Sequence, residues 1–312
     1  MSYYVGIDIG GMSIKAGIVD SDTSSILASH SVKTPTCGGD GFCAACYEAV
    51  ENAIAKANIT KDDVKGIGIG APGVSDKEKG ILVYVGTINY DNAKIKDYLQ
   101  ARINVPVWIE NDANVAAIGE YFSRRQHSNM DCFIFLTIGT GVGGGLIMHN
   151  KLHVGINGAG AELGHIVTHK DGRLCGCGRV GCWEAYASMT ALINNAKEKS
   201  ECIGIPVDEI NGLTIFEAAD VKGNECAKKL IDEWIDEIAE GVADMINVFQ
   251  PEEIAIGGAV SAQGERLLSP IRERAYQKDY THKLDLPHTK ISAATLAGDA
   301  GIIGAALQGL VR

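Results

Sequence analysis

Two short segments of this 312-residue chain repeat one pattern. Val5–Gly6–Ile7–Asp8–Ile9–Gly10–Gly11 and Phe135–Leu136–Thr137–Ile138–Gly139–Thr140–Gly141 are each an apolar run that enters a glycine turn and continues into a second apolar run. Such runs read as strand, turn, strand. They lie about 130 residues apart, the interval expected if one α/β unit were duplicated. Neither carries the Gly–Lys–Ser/Thr that leads a Walker P-loop into a helix. Each glycine tip would instead offer backbone N–H groups to an anion, and two such tips make a phosphate clamp. Two ordinary β-hairpins with glycine-rich tips are the alternative reading.

The rest of the chain alternates in the same way. Strands are expected at Tyr3–Ile9, Ile14–Val19, Ile26–Val32, Val64–Gly70, Val105–Ile109, Cys132–Ile138, Gly143–Met148, Glu253–Ile256 and Lys290–Ala293. Helices are expected around Gly41–Ala57, Asn92–Arg102, Asp112–Phe122, Asn224–Phe249, Gln263–Tyr276 and Ala300–Leu310. Mixed elements with short connections indicate an α/β architecture, and 312 residues exceed what one core usually serves, so two domains are expected.

A net charge of −11, with no basic run longer than Arg124–Arg125, argues against a nucleic-acid surface. The start has no positive region followed by an apolar stretch, and no segment approaches a membrane span. Nine cysteines without a secretion signal fit a reducing cytoplasm better than a disulfide framework. Cys37, Cys43, Cys46, Cys132, Cys202 and Cys226 therefore read as small core or surface residues.

The other three cysteines belong to the densest cluster of chemistry in the chain. His165, Cys175, Cys177 and Cys182 follow one another at intervals of ten, two and five positions, among glycines. Thiolates and imidazole are preferred ligands of tetrahedral Zn²⁺, and four protein ligands leave no open position, so the site reads as structural. That filled shell argues against a metallohydrolase. Glu162 precedes the histidine and Glu184 follows the last cysteine, so such a knot would fix two carboxylates. Glu110–Asn111–Asp112 forms a third candidate at a strand-to-helix junction, where α/β proteins place ligand-contacting residues; a routine helix N-cap is the alternative. Ile256–Gly257–Gly258–Ala259 is a fourth, another apolar strand entering a glycine turn.

Taken together, the motifs resemble the ROK family of sugar kinases and sugar-responsive repressors, its glucokinase-type members in particular. The resemblance rests on Asp8–Ile–Gly–Gly11, Glu110–Asn–Asp112–Ala–Asn114 with Gly119–Glu120, Gly139–Thr–Gly–Val–Gly–Gly–Gly145, Glu162–Leu–Gly–His165 and Cys175–Gly–Cys–Gly–Arg–Val–Gly–Cys182–Trp–Glu184, in the family's order. It runs from Asp8 to the C-terminal helix. It implies an actin-like (ribonuclease H-like) ATPase fold, with two α/β domains around a central cleft that binds ATP and sugar. Residues 1–115 with 299–312 would form the smaller domain, and 116–298 the larger, zinc-bearing one.

The resemblance further implies that Asp112 is the catalytic base and that Asn111, Glu162, His165 and Glu184 hold the sugar. His165 would serve zinc through one ring nitrogen and sugar through the other. Asn89, after the Pro72–Gly73 turn, resembles a further sugar ligand, although the family's usual Gly–Trp beyond it is absent. Asp8, Gly10 and Gly11 match one phosphate loop, Gly139, Thr140 and Gly141 the other, and Gly257–Gly258 the adenosine loop. Position 12, usually threonine, is methionine here, which removes a hydroxyl beside the phosphate or its Mg²⁺. The implied reaction is transfer of the γ-phosphoryl group of ATP·Mg²⁺ to the C6 hydroxyl of a hexose, with glucose favoured by Asn89 over N-acetylmannosamine and other hexoses. A cytoplasmic homodimer is expected. A repressor of this family would carry a helix-turn-helix before the first phosphate loop, and a non-catalytic sugar binder would lack Asp112.

Overall fold

The computed structural model describes residues 2–85, 88–125 and 130–311. Strands β1 (Tyr3–Ile9), β2 (Ser13–Asp20) and β3 (Ser25–Lys33) run antiparallel and lead into helix α1 (Gly39–Lys56). Then come β4 (Val64–Ala71), the hairpin β5 (Val74–Asp76) and β6 (Ile81–Tyr84), α2 (Ile95–Gln100), β7 (Val107–Asn111) and α3 (Asp112–Arg125). Strands β8 (Cys132–Ile138), β9 (Val142–Met148) and β10 (Lys151–Leu152) follow. A helical stretch holds α4 (Glu184–Ala187), α5 (Met189–Glu198), α6 (Ser200–Ile203), α7 (Gly212–Asp220) and α8 (Glu225–Phe249). The chain continues through β11 (Glu253–Gly258), α9 (Ala259–Ala262), α10 (Glu265–Lys278), β12 (Lys290–Ala293) and α11 (Ala300–Leu307).

The duplication seen in sequence is present in the sheets. One has the order β3-β2-β1-β4-β7 and the other β10-β9-β8-β11-β12. In the first, β1, β4 and β7 run parallel; in the second, β8, β11 and β12 do. Each glycine turn therefore joins the central strand of a sheet to its antiparallel neighbour.

The chain divides into two units: residues 1–131, 145–153 and 295–312, and residues 132–144 and 154–294. The division expected after residue 115 would cut α3 in its first turn. The helix instead stays whole in the first unit, because it crosses α11 backbone to backbone. A Cβ on Gly304 would lie 1.6 Å from the Val115 carbonyl oxygen, so only glycine permits the crossing.

In the first unit, α1 buries Phe42, Cys43, Cys46, Ala49, Val50 and Ala53, a stripe at helical spacing. Cys43 and Cys46 are thus core residues, and burial pushes the Cys43 thiol up to about 12. In the second unit, α8 buries Leu230, Ile231, Trp234, Ile235, Ile238, Val242, Met245 and Ile246. The Asn224 side chain caps its start by accepting the Ala227 N–H at 2.9 Å.

Two local expectations need correction. The helix expected from Asn92 begins at Ile95, because Asp91 and Asn92 adopt left-handed φ values of 47° and 51° and make a turn. Cys202 and Cys226, expected as separate thiols, form a disulfide between α6 and the first turn of α8, with Cα atoms 6.0 Å apart. No helix among the described residues is long and apolar enough to cross a membrane.

Candidate active site

In the first unit the candidate residues gather at the carboxyl ends of parallel strands, where such sheets present loops to ligands. Asp8 lies level with Gly70, Gly70 with Glu110, and Ala71 with Asn111. Asp8 thus approaches the Asn111–Asp112 turn across β4. Burial holds the Asp8 carboxyl above its ordinary range; Lys15 opposes that shift and the nearby Asp112 adds to it. Gly10–Gly11 turn β1 into β2, with the Gly10 N–H donating to the Ser13 carbonyl at 3.0 Å. Met12 stands 89% exposed at this tip.

The Asn111–Asp112 turn is anchored from below and capped from above. Glu110 is buried, and its Oε1 accepts from the Asn111 N–H at 2.9 Å, the Asn114 amide at 3.0 Å and Lys77. The Asn111 side-chain oxygen accepts the Ala113 N–H at 2.9 Å, so Asn111 caps α3. Asp112 Oδ1 accepts the same N–H at 2.9 Å, and the rest of its carboxylate faces outward from an exposed residue. The capping role and an exposed carboxylate therefore coexist. Asn89 is exposed and donates to the Thr36 carbonyl at 3.3 Å. Gly86 and Thr87, which lead to it, lie outside the described residues.

In the second unit, Gly139–Thr140–Gly141 turn β8 into β9, closed by a Gly139 N–H to Gly141 carbonyl bond of 2.9 Å. Gly257 and Gly258 end β11 level with Thr137 and Ile138 of β8, so these two glycine turns are neighbours. A cavity of about 410 Å³ reaches the first of these turns at Thr140 and is lined also by Cys175, Glu184, Thr190, Asn194 and Glu198, among others. Glu184 Oε2 accepts the Val142 N–H at 3.0 Å. A Cβ on Gly141 would stand 2.4 Å from that same oxygen, so the turn accommodates Glu184 only with glycine there. Trp183, which sets the position of Glu184, is fully buried and donates its indole N–H to the Glu237 carbonyl at 2.7 Å. Glu162 is exposed and precedes a single 3₁₀ turn, Leu163–His165.

His165, Cys175, Cys177 and Cys182 converge, with one ligand atom from each lying within 4.8 Å of all the others. His165 Nδ1 is 3.7 Å from the Cys175 sulfur, and the Cys177 and Cys182 sulfurs are 3.7 Å apart. A tetrahedron of Zn–S and Zn–N bonds has edges of roughly 3.5–3.8 Å. The donor set fits that ion in size and chemistry.

Sequence reasoning passed over three residues that shape the site. Lys77 meets Glu110 beneath the Asn111–Asp112 turn. Thr34 and Thr190 bond the two glycine tips. The cue for Thr190 was Ser188, whose side chain accepts the Ala191 N–H and starts α5; Thr34 carried no cue beyond its place between β3 and Pro35.

Two sheets of one order, each turning through glycine beside its central strand, are the actin-like ATPase fold. The model of the ROK family matches residues 4–309, and the chain belongs to that family. It is 37% identical to a glucokinase of Streptomyces coelicolor over 98% of this chain and 97% of that one. Its structure resembles that of a ROK glucokinase from Streptomyces griseus in complex with glucose and AMPPNP, with a TM-score of 0.75, 37% identity, and coverage of 100% and 99% of the two chains. It also resembles a ROK hexokinase from Thermus thermophilus, with a TM-score of 0.84, 29% identity, and coverage of 98% and 97%.

Proposed function

We propose that this protein is an ATP-dependent glucokinase that transfers the γ-phosphoryl group of ATP·Mg²⁺ to the C6 hydroxyl of glucose. The observation that carries this reading is the Glu110–Asn111–Asp112 turn, an exposed carboxylate on a braced strand end, in a chain related along its whole length to glucokinases. Asp112 accepts the C6 hydroxyl proton as the oxygen bonds to phosphorus; ADP departs and glucose 6-phosphate remains. Phosphoryl transfer through a loose transition state demands alignment and charge neutralisation more than early proton removal, so a carboxylate suffices.

Asn89, Asn111, Glu162, His165 and Glu184 bind the sugar hydroxyls; a carboxylate can accept from two adjacent O–H groups, and an amide both donates and accepts. Asp8 serves the Mg²⁺ that accompanies ATP, Gly10–Gly11 and Gly139–Thr140–Gly141 bind its phosphates, and Gly257–Gly258 its adenosine. His165 Nδ1, Cys175, Cys177 and Cys182 would hold Zn²⁺, which would supply folding energy to the loop that carries Glu162 and Glu184. His165 Nε2 then remains for sugar. The protein works in the cytoplasm as a homodimer.

The test is a coupled assay of ADP release over glucose, N-acetylmannosamine, N-acetylglucosamine, fructose and allose. Glucose should show the highest kcat/KM, because a site built to bond particular hydroxyls rejects sugars that leave its polar groups unpaired. A tenfold preference for N-acetylmannosamine or fructose would overturn the glucose assignment, and no activity on any sugar would overturn the kinase assignment. Light scattering tests the dimer.

A further inference from the structure

The two glycine tips are tied back in the same way. At the first, the Thr34 hydroxyl donates to the Gly10 carbonyl at 2.6 Å and the Thr34 N–H donates to the Met12 carbonyl at 3.1 Å. At the second, the Thr190 hydroxyl donates to the Thr140 carbonyl at 2.6 Å and the Met189 N–H donates to the Gly139 carbonyl at 2.8 Å. Each tip thus has two carbonyls held by one threonine hydroxyl and one backbone N–H. The supports come from unrelated local structures: Thr34 is buried just past the end of β3, while Thr190 lies in the first turn of α5.

A trans peptide points its C=O and the following N–H in opposite directions. Fixing the Gly10 carbonyl on Thr34 therefore turns the Gly11 N–H away from Thr34. Fixing the Gly139 and Thr140 carbonyls on α5 turns the Thr140 and Gly141 N–H groups away from that helix. The tips need such a restraint, because each of these peptides has glycine on at least one side, and glycine visits both halves of φ space readily. A flip would present a carbonyl oxygen, with its negative end, where an anion has to bind. Among the described residues nothing lies within 4 Å of where a Cβ on Gly11 or Gly139 would sit, whereas at Gly141 that position falls 2.4 Å from Glu184 Oε2.

We infer that Thr34 and Thr190 are positioning residues for the nucleotide phosphates, each holding a glycine tip with its N–H groups toward the anion. Neither hydroxyl touches the nucleotide in this scheme, since both are committed to backbone carbonyls. At the first tip, where Met12 brings no hydroxyl, orientation of the backbone is what the protein contributes. This inference rests on the kinase reading for its substrate but not for its geometry.

The experiment compares Thr34→Val, Thr34→Ser, Thr190→Val and Thr190→Ser with the parent, using steady-state kinetics at varied ATP and varied glucose, calorimetric titration with ADP·Mg²⁺, and thermal unfolding. Valine keeps the shape and removes the donor; serine keeps the donor. Each valine variant should raise KM for ATP and Kd for ADP about five- to tenfold, the worth of one hydrogen bond, with KM for glucose changed less than twofold. Each serine variant should return to within twofold of the parent. The inference is overturned if the valine variants bind ADP as the parent does, if both KM values rise together with a fall in Tm, or if serine fails to rescue. Should the parent phosphorylate no sugar, the ADP titrations still read the threonines, so failure of the kinase assignment and failure of this inference are told apart. A parent that binds no ADP overturns both.

Discussion

Glu184 Oε2 accepts the backbone N–H of Val142 at 3.0 Å, which joins the first residue of α4 to the strand that leaves the Gly139–Gly141 turn. The other oxygen of the same carboxylate stands 3.6 Å from the Cys175 sulfur. One side chain therefore touches both the glycine turn and the cysteine cluster. In the proposed chemistry these are the phosphate loop and the zinc knot, and Glu184 also faces sugar, so displacing it should disturb donor and acceptor together.

Gly141→Ala tests that coupling without altering any polar group. The new methyl would fall 2.4 Å from Glu184 Oε2, so the carboxylate or the turn has to move by about an ångström. Displacements of that size in an active site cost up to about 10²-fold. We expect kcat/KM to fall by about that factor whether ATP or glucose is varied. A variant within twofold of the parent on both would show that Glu184 and the turn move independently of catalysis.

Purified protein should contain about one Zn²⁺ per chain, and Cys177→Ser should lose metal and local order together. Cys177 is the exposed member of the cluster, so its replacement disturbs the core least. Glu162, His165 and Glu184 all depend on the folding of this loop, and loss of a ligand's support typically costs 10- to 100-fold. Glucose affinity should weaken by about that much. Metal analysis that finds no zinc in fully active protein would end the proposal.

Asp112→Asn separates chemistry from folding. The asparagine oxygen can still accept the Ala113 N–H that Asp112 Oδ1 accepts now, so the start of α3 survives. What disappears is the proton acceptor. Turnover should drop by about two to four orders of magnitude, while calorimetric glucose affinity changes far less. Near-normal turnover would reduce Asp112 to a helix-capping residue.

The duplicated frame was legible because its signal is local and periodic: two apolar runs, two glycine turns and the same strands around each. The cysteine cluster was legible because three sulfurs and an imidazole fall within eighteen residues. Other features depend on distances that sequence does not encode. Cys202 and Cys226 are 24 residues apart, and only the packing of α6 on α8 brings their Cα atoms to 6.0 Å. Thr34 looked like an ordinary residue leaving a strand, since its partner Gly10 lies 24 positions earlier. Helices α5 and α7 escaped notice because they are short; their starts, capped by Ser188 and Asn211, were the available cue.

The Asp8 carboxyl carries a pH signature. Burial raises its folded-state pKa above the unfolded value, so the folded state holds the proton over a window that begins at the ordinary carboxylate range and extends upward. The associated stabilisation is complete below that range and is lost as pH rises through the folded-state value. At neutral pH Asp8 therefore works against folding. Asp8→Asn should raise Tm at pH 7, the difference should narrow as pH falls toward 4, and turnover should be lost with the Mg²⁺ contact proposed for Asp8. Unfolding scans from pH 4 to 8 that show the variant less stable at neutral pH would contradict this account.

The Cys202–Cys226 disulfide makes the last prediction, because it sets the structure against the compartment proposed for the enzyme. Thiols in a cytoplasm are kept reduced, and disulfides there are rare. The bond encloses a loop of 24 residues, and the chain-entropy model gives such a closure on the order of 3 kcal/mol. Thiol titration of denatured, metal-free protein prepared without reductant should find seven reactive cysteines, the seven that stand outside the disulfide, and nine after reduction. Reductant should lower Tm in the parent and leave Cys202→Ser unchanged, with the two converging in reducing buffer. The glycine turns and the Asn111–Asp112 turn do not include either cysteine, so glucose phosphorylation should continue in both forms at similar kcat. Nine reactive thiols in oxidised protein, or a Tm that ignores reductant, would show that these two cysteines remain neighbours without a bond.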